Sequence, residues 1–112
     1  MRYFVVIPAF NAAETIAGLI RRIQGILPSA GILVVDDGSS DGSGARARDA
    51  GADVLTHPGN RGKGEALKTA FAEALRLGAD AVIQLDADLQ HDPAYLPEFA
   101  KQFEESKSDI IM

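Results

Sequence analysis

Short β-branched runs alternate along this chain with stretches of helical period, and Gly, Pro or Asp punctuates each change. Tyr3-Phe-Val-Val-Ile7 reads as a buried strand closed by Pro8 and followed by a polar loop around Asn11. From Glu14 to Ile26 the apolar residues Ile16, Leu19, Ile20, Ile23 and Ile26 recur at helical spacing, with Glu14 and Thr15 in the first turn and Pro28 beyond the end. Ile32–Val35 is a second strand, broken by Asp36-Asp-Gly-Ser-Ser-Asp-Gly42, and a short polar helix follows from about Ser43 to Ala50, stopped by Gly51. Val54–Thr56 is a weaker strand that leads into the glycine-rich Pro58–Gly64. The next helix, about Glu65 to Leu77, is predicted to bury Leu67, Ala70, Phe71, Ala74 and Leu75, with Gly78 closing it. Ala81–Leu85 is a fourth strand ending in Asp86-Ala-Asp88, Pro93 opens a helix containing Leu96, Phe99 and Phe103, and Asp109–Met112 begins a fifth strand.

Regular alternation of strand and helix predicts βαβ units with right-handed crossovers. The expected fold class is α/β, a doubly wound, mainly parallel, Rossmann-like sheet with helices on both faces. No internal repeat, low-complexity tract or linker divides the chain, so residues 1–112 read as one domain. Its end in the apolar run Ile110-Ile-Met112 reads as truncation at the C-terminus. A sheet edge begun by Ile110 and Ile111 would then be open to self-association.

Composition narrows the function classes. At 112 residues, 46% hydrophobic and 24% charged, the chain is an ordinary globular sequence rather than a disordered one. Its net charge of −5, with no basic stripe, argues against nucleic acid as a partner. The absence of cysteine removes disulfides and thiolate metal sites. Tyr3–Ile7 is too short for a signal-peptide core and no apolar run is long enough to span a bilayer, so a cytoplasmic location is expected.

The candidate chemistry lies at strand ends, where open α/β sheets bind ligands. Pro8 and Asn11 follow the first strand, Asp36, Asp37 and Ser39 the second, and Asp86, Asp88 and Gln90 the fourth. Asp86 and Asp88, two apart in extended backbone, project to the same side and suit a hard divalent cation such as Mg2+ or Mn2+, with Gln90 as a further oxygen donor. Equally, they could cap the helix near Pro93. Asp36 or Asp37 could accept a base N–H, or the Asp-Gly pair could form an ordinary turn with Ser40 or Asp41 capping the next helix. Gly59-Asn-Arg-Gly-Lys-Gly64 precedes a helix, so Arg61 or Lys63 could meet a diphosphate, although the spacing is not that of a P-loop. His57 and His91 are expected in exposed loops, and no Ser or Cys is placed with either to support a triad.

Taken together, Val5-Val-Ile-Pro-Ala-Phe-Asn11 with Glu14, Val35-Asp-Asp-Gly-Ser-Ser-Asp41, Asn60-Arg-Gly-Lys-Gly64 and Leu85-Asp-Ala-Asp-Leu-Gln-His-Asp-Pro93 resemble glycosyltransferase family 2. Within it the likeness is greatest to dolichyl- or polyprenyl-phosphate mannose and glucose synthases, and it runs through the whole chain. The resemblance implies the nucleotide-sugar-binding half of a GT-A fold, taking a UDP- or GDP-sugar. It implies that Pro8, Ala9 and Glu14 line the base and ribose pocket and that Asp37 contacts the base. By the same likeness Asp86, Asp88 and Gln90 hold Mg2+ or Mn2+ and the donor diphosphate, Asp86-Ala-Asp88 being the family's Asp-x-Asp motif. Inverting transfer of a hexose to a polyprenyl phosphate or a glycan is the implied reaction, with the base in a later segment that nothing here matches. A catalytic domain of this kind could sit at the cytoplasmic face of a membrane.

Two other readings compete. A non-catalytic fragment that only binds nucleotide is the nearer one. A phospho-acceptor receiver domain is also acidic and α/β, but its Asp pair follows the first strand, whereas Asp36 and Asp37 follow the second.

Overall fold

A computed structural model describes residues 2–85 and 87. Its elements are β1 (Tyr3–Ala9), α1 (Ile16–Ile26), β2 (Gly31–Asp36), α2 (Ser43–Asp49), β3 (Asp53–Thr56), α3 (Lys63–Arg76) and β4 (Ala81–Gln84). The four strands form one sheet in the order β3-β2-β1-β4, all parallel. The doubly wound α/β expectation therefore holds among the described residues. The helix expected at Pro93, the strand and open edge expected at Ile110 and Ile111, and His91 lie outside them.

The pleat sorts the strand residues into two cores. Val5, Ile7 and Ala9 of β1 with Ile32 and Val34 of β2 face Ile16, Leu19, Ile20 and Ile23 of α1 and Ala47 of α2. Phe4, Val6, Leu33, Val35 and Val82 face Ala66, Ala70 and Ala74 of α3. Strands buried on both faces need continuous apolar runs, which is why β1 and β2 read as unbroken hydrophobic stretches rather than alternating ones.

Several boundaries differ from expectation for physical reasons. β1 does not stop at Pro8 but runs to Ala9, which pairs with Asp36. Val6 bonds towards β4 through its carbonyl, so Pro8, two residues on, turns its missing N–H to the same side, past the last β4 pair at Gln84. Among the described residues no ladder bond is lost there. α1 begins at Ile16 rather than Glu14. In α3 the buried seam is Ala66, Ala70 and Ala74, spaced by four, while Leu75 is 60% exposed, contrary to expectation. Three alanines allow the helix to lie close on the sheet, and Leu75, one position on from Ala74, falls off that seam.

Candidate functional site

β1 and β4 lie side by side at the point where strand order reverses, and a cleft of about 650 Å³ opens beyond their carboxyl ends. Its lining comes from two chain segments and two single residues. Pro8 and Ala9 end β1 and Phe10, Asn11, Ala12, Glu14 and Thr15 follow it, Asn60, Gly62, Lys63 and Ala66 lead into and open α3, and Asp37 and Ala87 follow β2 and β4. The structure thus brings Pro8, Ala9, Asn11, Glu14, Asp37 and Lys63 together around one cavity. Asp36 is buried but does not line it. Asp86, Asp88 and Gln90 lie outside the described residues. Ala87, between the two aspartates, is buried at the cleft wall, and the Thr15 hydroxyl donates to its carbonyl at 2.7 Å. Among the described residues no cluster of three or more acidic or imidazole side chains could hold a metal.

The turn after β2 divides its two acids between the two uses open to them. Asp36 shapes the turn: its Oδ1 accepts from the Ser39 N–H at 2.9 Å, and a Cβ at Gly44 would lie 2.7 Å from its Oδ2. Asp37, 4% exposed, accepts from three donors. The His57 ring (Nδ1, 2.8 Å) and the Arg61 N–H (3.0 Å) reach Oδ1, and the Gly62 N–H (2.8 Å) reaches Oδ2. Burial alone would push the Asp37 carboxyl up, but the N–H groups of Arg61 and Gly62 and the His57 ring together hold it below its ordinary value of 3.8. Gly38 follows at φ +81°, and a Cβ there would sit 2.6 Å from the Gly59 carbonyl carbon, so only glycine lets the two loops touch.

His57 is a correction to the sequence reading. It is 7% exposed rather than a loop residue in water. The edge strand β3 continues one ladder bond past Thr56, from the His57 N–H to the Asp36 carbonyl, and this draws the ring inward. Its Nδ1 meets Asp37 and its Nε2 lies 2.8 Å from the Thr69 hydroxyl on α3. The signal was present in the register: β2 pairs with β3 with Asp36 opposite Thr56, which sets Asp37 and His57 side by side.

A second feature escaped the sequence reading. Three successive N–H groups after β1 are each taken by a side chain from the loop after β2 or the first residue of α2. Asn11 donates to Ser39 Oγ (2.8 Å), Ala12 to Ser43 Oγ (2.7 Å) and Ala13 to Asp41 Oδ2 (3.1 Å). In return the Asn11 Oδ1 accepts from the Ser40 N–H at 3.0 Å, with Asn11 in the left-handed region at φ 51°. The Ser43 hydroxyl and the Ala13 N–H hold the Asp41 carboxyl below its ordinary value. Asp41 also accepts the Ser43 N–H, so the expected capping role falls to it, next to the N-cap glycine, Gly42. The second half of the Asp-Asp-Gly-Ser-Ser-Asp run is therefore a latch that fixes the cleft wall.

The family model described as glycosyl transferase family 2 matches residues 4–112. The chain is 34% identical over 102 residues to an undecaprenyl-phosphate mannosyltransferase of Micrococcus luteus, covering 87% of this chain and 42% of that protein. It is 38% identical over 101 residues to a polyprenol monophosphomannose synthase of Mycolicibacterium smegmatis, covering 85% and 38%. Among solved structures it is similar to glucosyl-3-phosphoglycerate synthase from Mycobacterium tuberculosis in complex with Mn2+, UDP and glucosyl-3-phosphoglycerate. That match has a TM-score of 0.68 at 30% identity and covers 85% of this chain and 37% of the other. The expected Rossmann-like nucleotide-binding half agrees with that fold. The chain spans well under half the length of each of these relatives.

Proposed function

The chain belongs to glycosyl transferase family 2, and on that premise we propose that it forms the donor-binding part of a hexosyltransferase taking a UDP- or GDP-sugar with Mg2+ or Mn2+. One observation carries the reading: residues after β1, β2 and β4 and at the start of α3 converge on a single cleft at the strand-order switch. The half-exposed Phe10 ring and Ala12 and Ala66 give that cleft an apolar wall for a base, while Glu14, Asp37 and Lys63 supply charge at its rim. Pro8 and Ala9 contribute a rigid floor, and the latch through Asn11 keeps the adjoining loop in place for the ribose.

Asp86 and Asp88, with Gln90, would hold the divalent cation. Their oxygen donors fit a hard ion, and Ala87 between them stands in the wall of the same cleft. When bound, the ion supplies positive charge against the negative charge that develops on a departing nucleoside diphosphate. Lys63 is placed to meet the same diphosphate at the helix end, where N–H groups and the helix dipole favour an anion. The solved relative bound to Mn2+ and UDP supports this assignment by likeness. The names of the two mannose-transferring relatives support a polyprenyl phosphate as acceptor, with a glycan as the alternative, and such an acceptor would bring the whole protein to the cytoplasmic face of a membrane. No helix among the described residues is long and apolar enough to cross one.

Calorimetric titration with UDP and with GDP, each with and without Mn2+, tests the reading. One of the two should bind with metal-dependent affinity, and Asp88→Asn should abolish that dependence with the fold intact. Tight binding that ignores both Mn2+ and the substitution would overturn the metal assignment.

A further inference from the structure

We infer that His57 is a positioning residue that aims the Asp37 carboxylate at the ring N–H of the donor's base, so that the site selects lactam bases such as uracil or guanine. The inference rests on reading this cleft as a nucleotide-sugar site.

A carboxylate offers about four acceptor positions, two on each oxygen. On Asp37 Oδ1 both are filled, by the His57 ring and the Arg61 N–H, and on Oδ2 the Gly62 N–H fills one. Among the described residues a single acceptor position therefore remains, on Oδ2 of a buried carboxylate that lines the cleft. A base with an N–H at that point gains a charge-assisted hydrogen bond. Cytosine and adenine present a ring lone pair there instead and are repelled.

The direction of that last position depends on how the carboxylate is turned, and its terminal torsion is intrinsically soft. Two of the three restraints are backbone N–H groups of one loop, Arg61 and Gly62. His57 supplies the third from a different direction, and its ring is pinned at the far side by the Thr69 hydroxyl on α3. With Asp37 ionised, Nδ1 carries hydrogen, and the Thr69 hydroxyl can accept from or donate to Nε2 as the ring requires. His57 does not itself line the cleft, so it acts through Asp37, which does.

Binding of UDP, CDP, GDP and ADP, each with Mn2+, to the unsubstituted chain and to three His57 or Thr69 variants separates positioning from support. The unsubstituted chain should prefer UDP over CDP, or GDP over ADP. His57→Phe should weaken the preferred nucleotide by roughly tenfold or more, the equivalent of one hydrogen bond to a charged group, and leave CDP or ADP unchanged. His57→Asn, whose amide nitrogen can take the place of Nδ1, should restore most of the preference. A folded His57→Phe protein that keeps the full preference overturns the inference. If that variant does not fold, Thr69→Val decides: the preference should fall several-fold, and an unchanged ratio overturns the inference as well. Failure of the unsubstituted chain to bind any of the four would instead overturn the donor-site reading on which it stands.

Discussion

The Asp37 carboxylate accepts three hydrogen bonds from the segment between β3 and α3, while Asp36, beside it in sequence, closes a turn through the Ser39 N–H. Identical side chains thus meet different donors, because Asp36 is turned toward Ser39 and Gly44 while Asp37, the next residue, lines the cleft. The consequence appears in the pH dependence of stability. The folded-state pKa of Asp37 lies below its ordinary value of 3.8, so its ionised form favours the folded state. That contribution is fully present above about 3.8 and is lost as pH falls through the lower folded value. Asp41 adds a contribution of the same sign from its bonds to Ser43 and Ala13. Urea melts between about pH 6 and about pH 2.5 should show stability declining steeply at the acid end, and Asp37→Asn should flatten that decline while lowering stability at pH 6. An unaltered acid slope in the variant would show that the charge on Asp37 contributes nothing to folding.

Among the elements, α3 shows how far periodicity carries and where it stops. The window from Glu65 to Leu77 identified a helix and its glycine stop at Gly78, since apolar residues recur there at the right interval. It could not choose between a seam of large residues and a seam of alanines, because both satisfy the same period. Packing against Val6, Val35, Leu33 and Phe4 selects Ala66, Ala70 and Ala74, whose exposures are 0%. Ala70→Leu should therefore destabilise the domain by ~1–3 kcal/mol through overpacking. Leu75→Ala should stay within about 0.5 kcal/mol of the unsubstituted protein, because most of that side chain is already in water. Comparable losses for both in thermal melts would contradict the packing assigned to this helix. The strands were legible for a related reason: Tyr3–Ile7 and Ile32–Val35 are apolar on both faces and have no other stable home. The latch between Asn11 and Ser39–Ser43 was not legible, since it depends on side chains meeting N–H groups about thirty residues away. Nor was the inward turn of His57, which needs the β2–β3 register before it can be seen.

On the scale of the whole molecule, the sheet makes neighbours of residues far apart in sequence, and the cleft exists because four such segments end at one rim. The glycines and acids that drew attention in the sequence divide accordingly: Asp37 and Lys63 line the cavity, whereas Asp36, Gly38 and Asp41 hold its walls together. Thr15 connects the two strands that flank the switch point. It stands at the start of α1, after β1, and its hydroxyl reaches the carbonyl of Ala87, seventy-two positions along the chain and after β4. Replacing it by the near-isosteric valine removes that bond and should cost about 1 kcal/mol of stability. Because Ala87 lies between the two aspartates proposed to hold the cation, the larger effect should fall on the Mn2+-dependent share of nucleotide affinity. Thr15→Val should reduce the gain in affinity that Mn2+ provides while changing metal-free binding little, and Thr15→Ser, which keeps the hydroxyl, should restore it. Calorimetry of both variants with and without Mn2+ distinguishes the cases. A loss of equal size in the two conditions would mean that Thr15 supports the cleft as a whole, and that the segment after β4 holds its metal-binding shape without it.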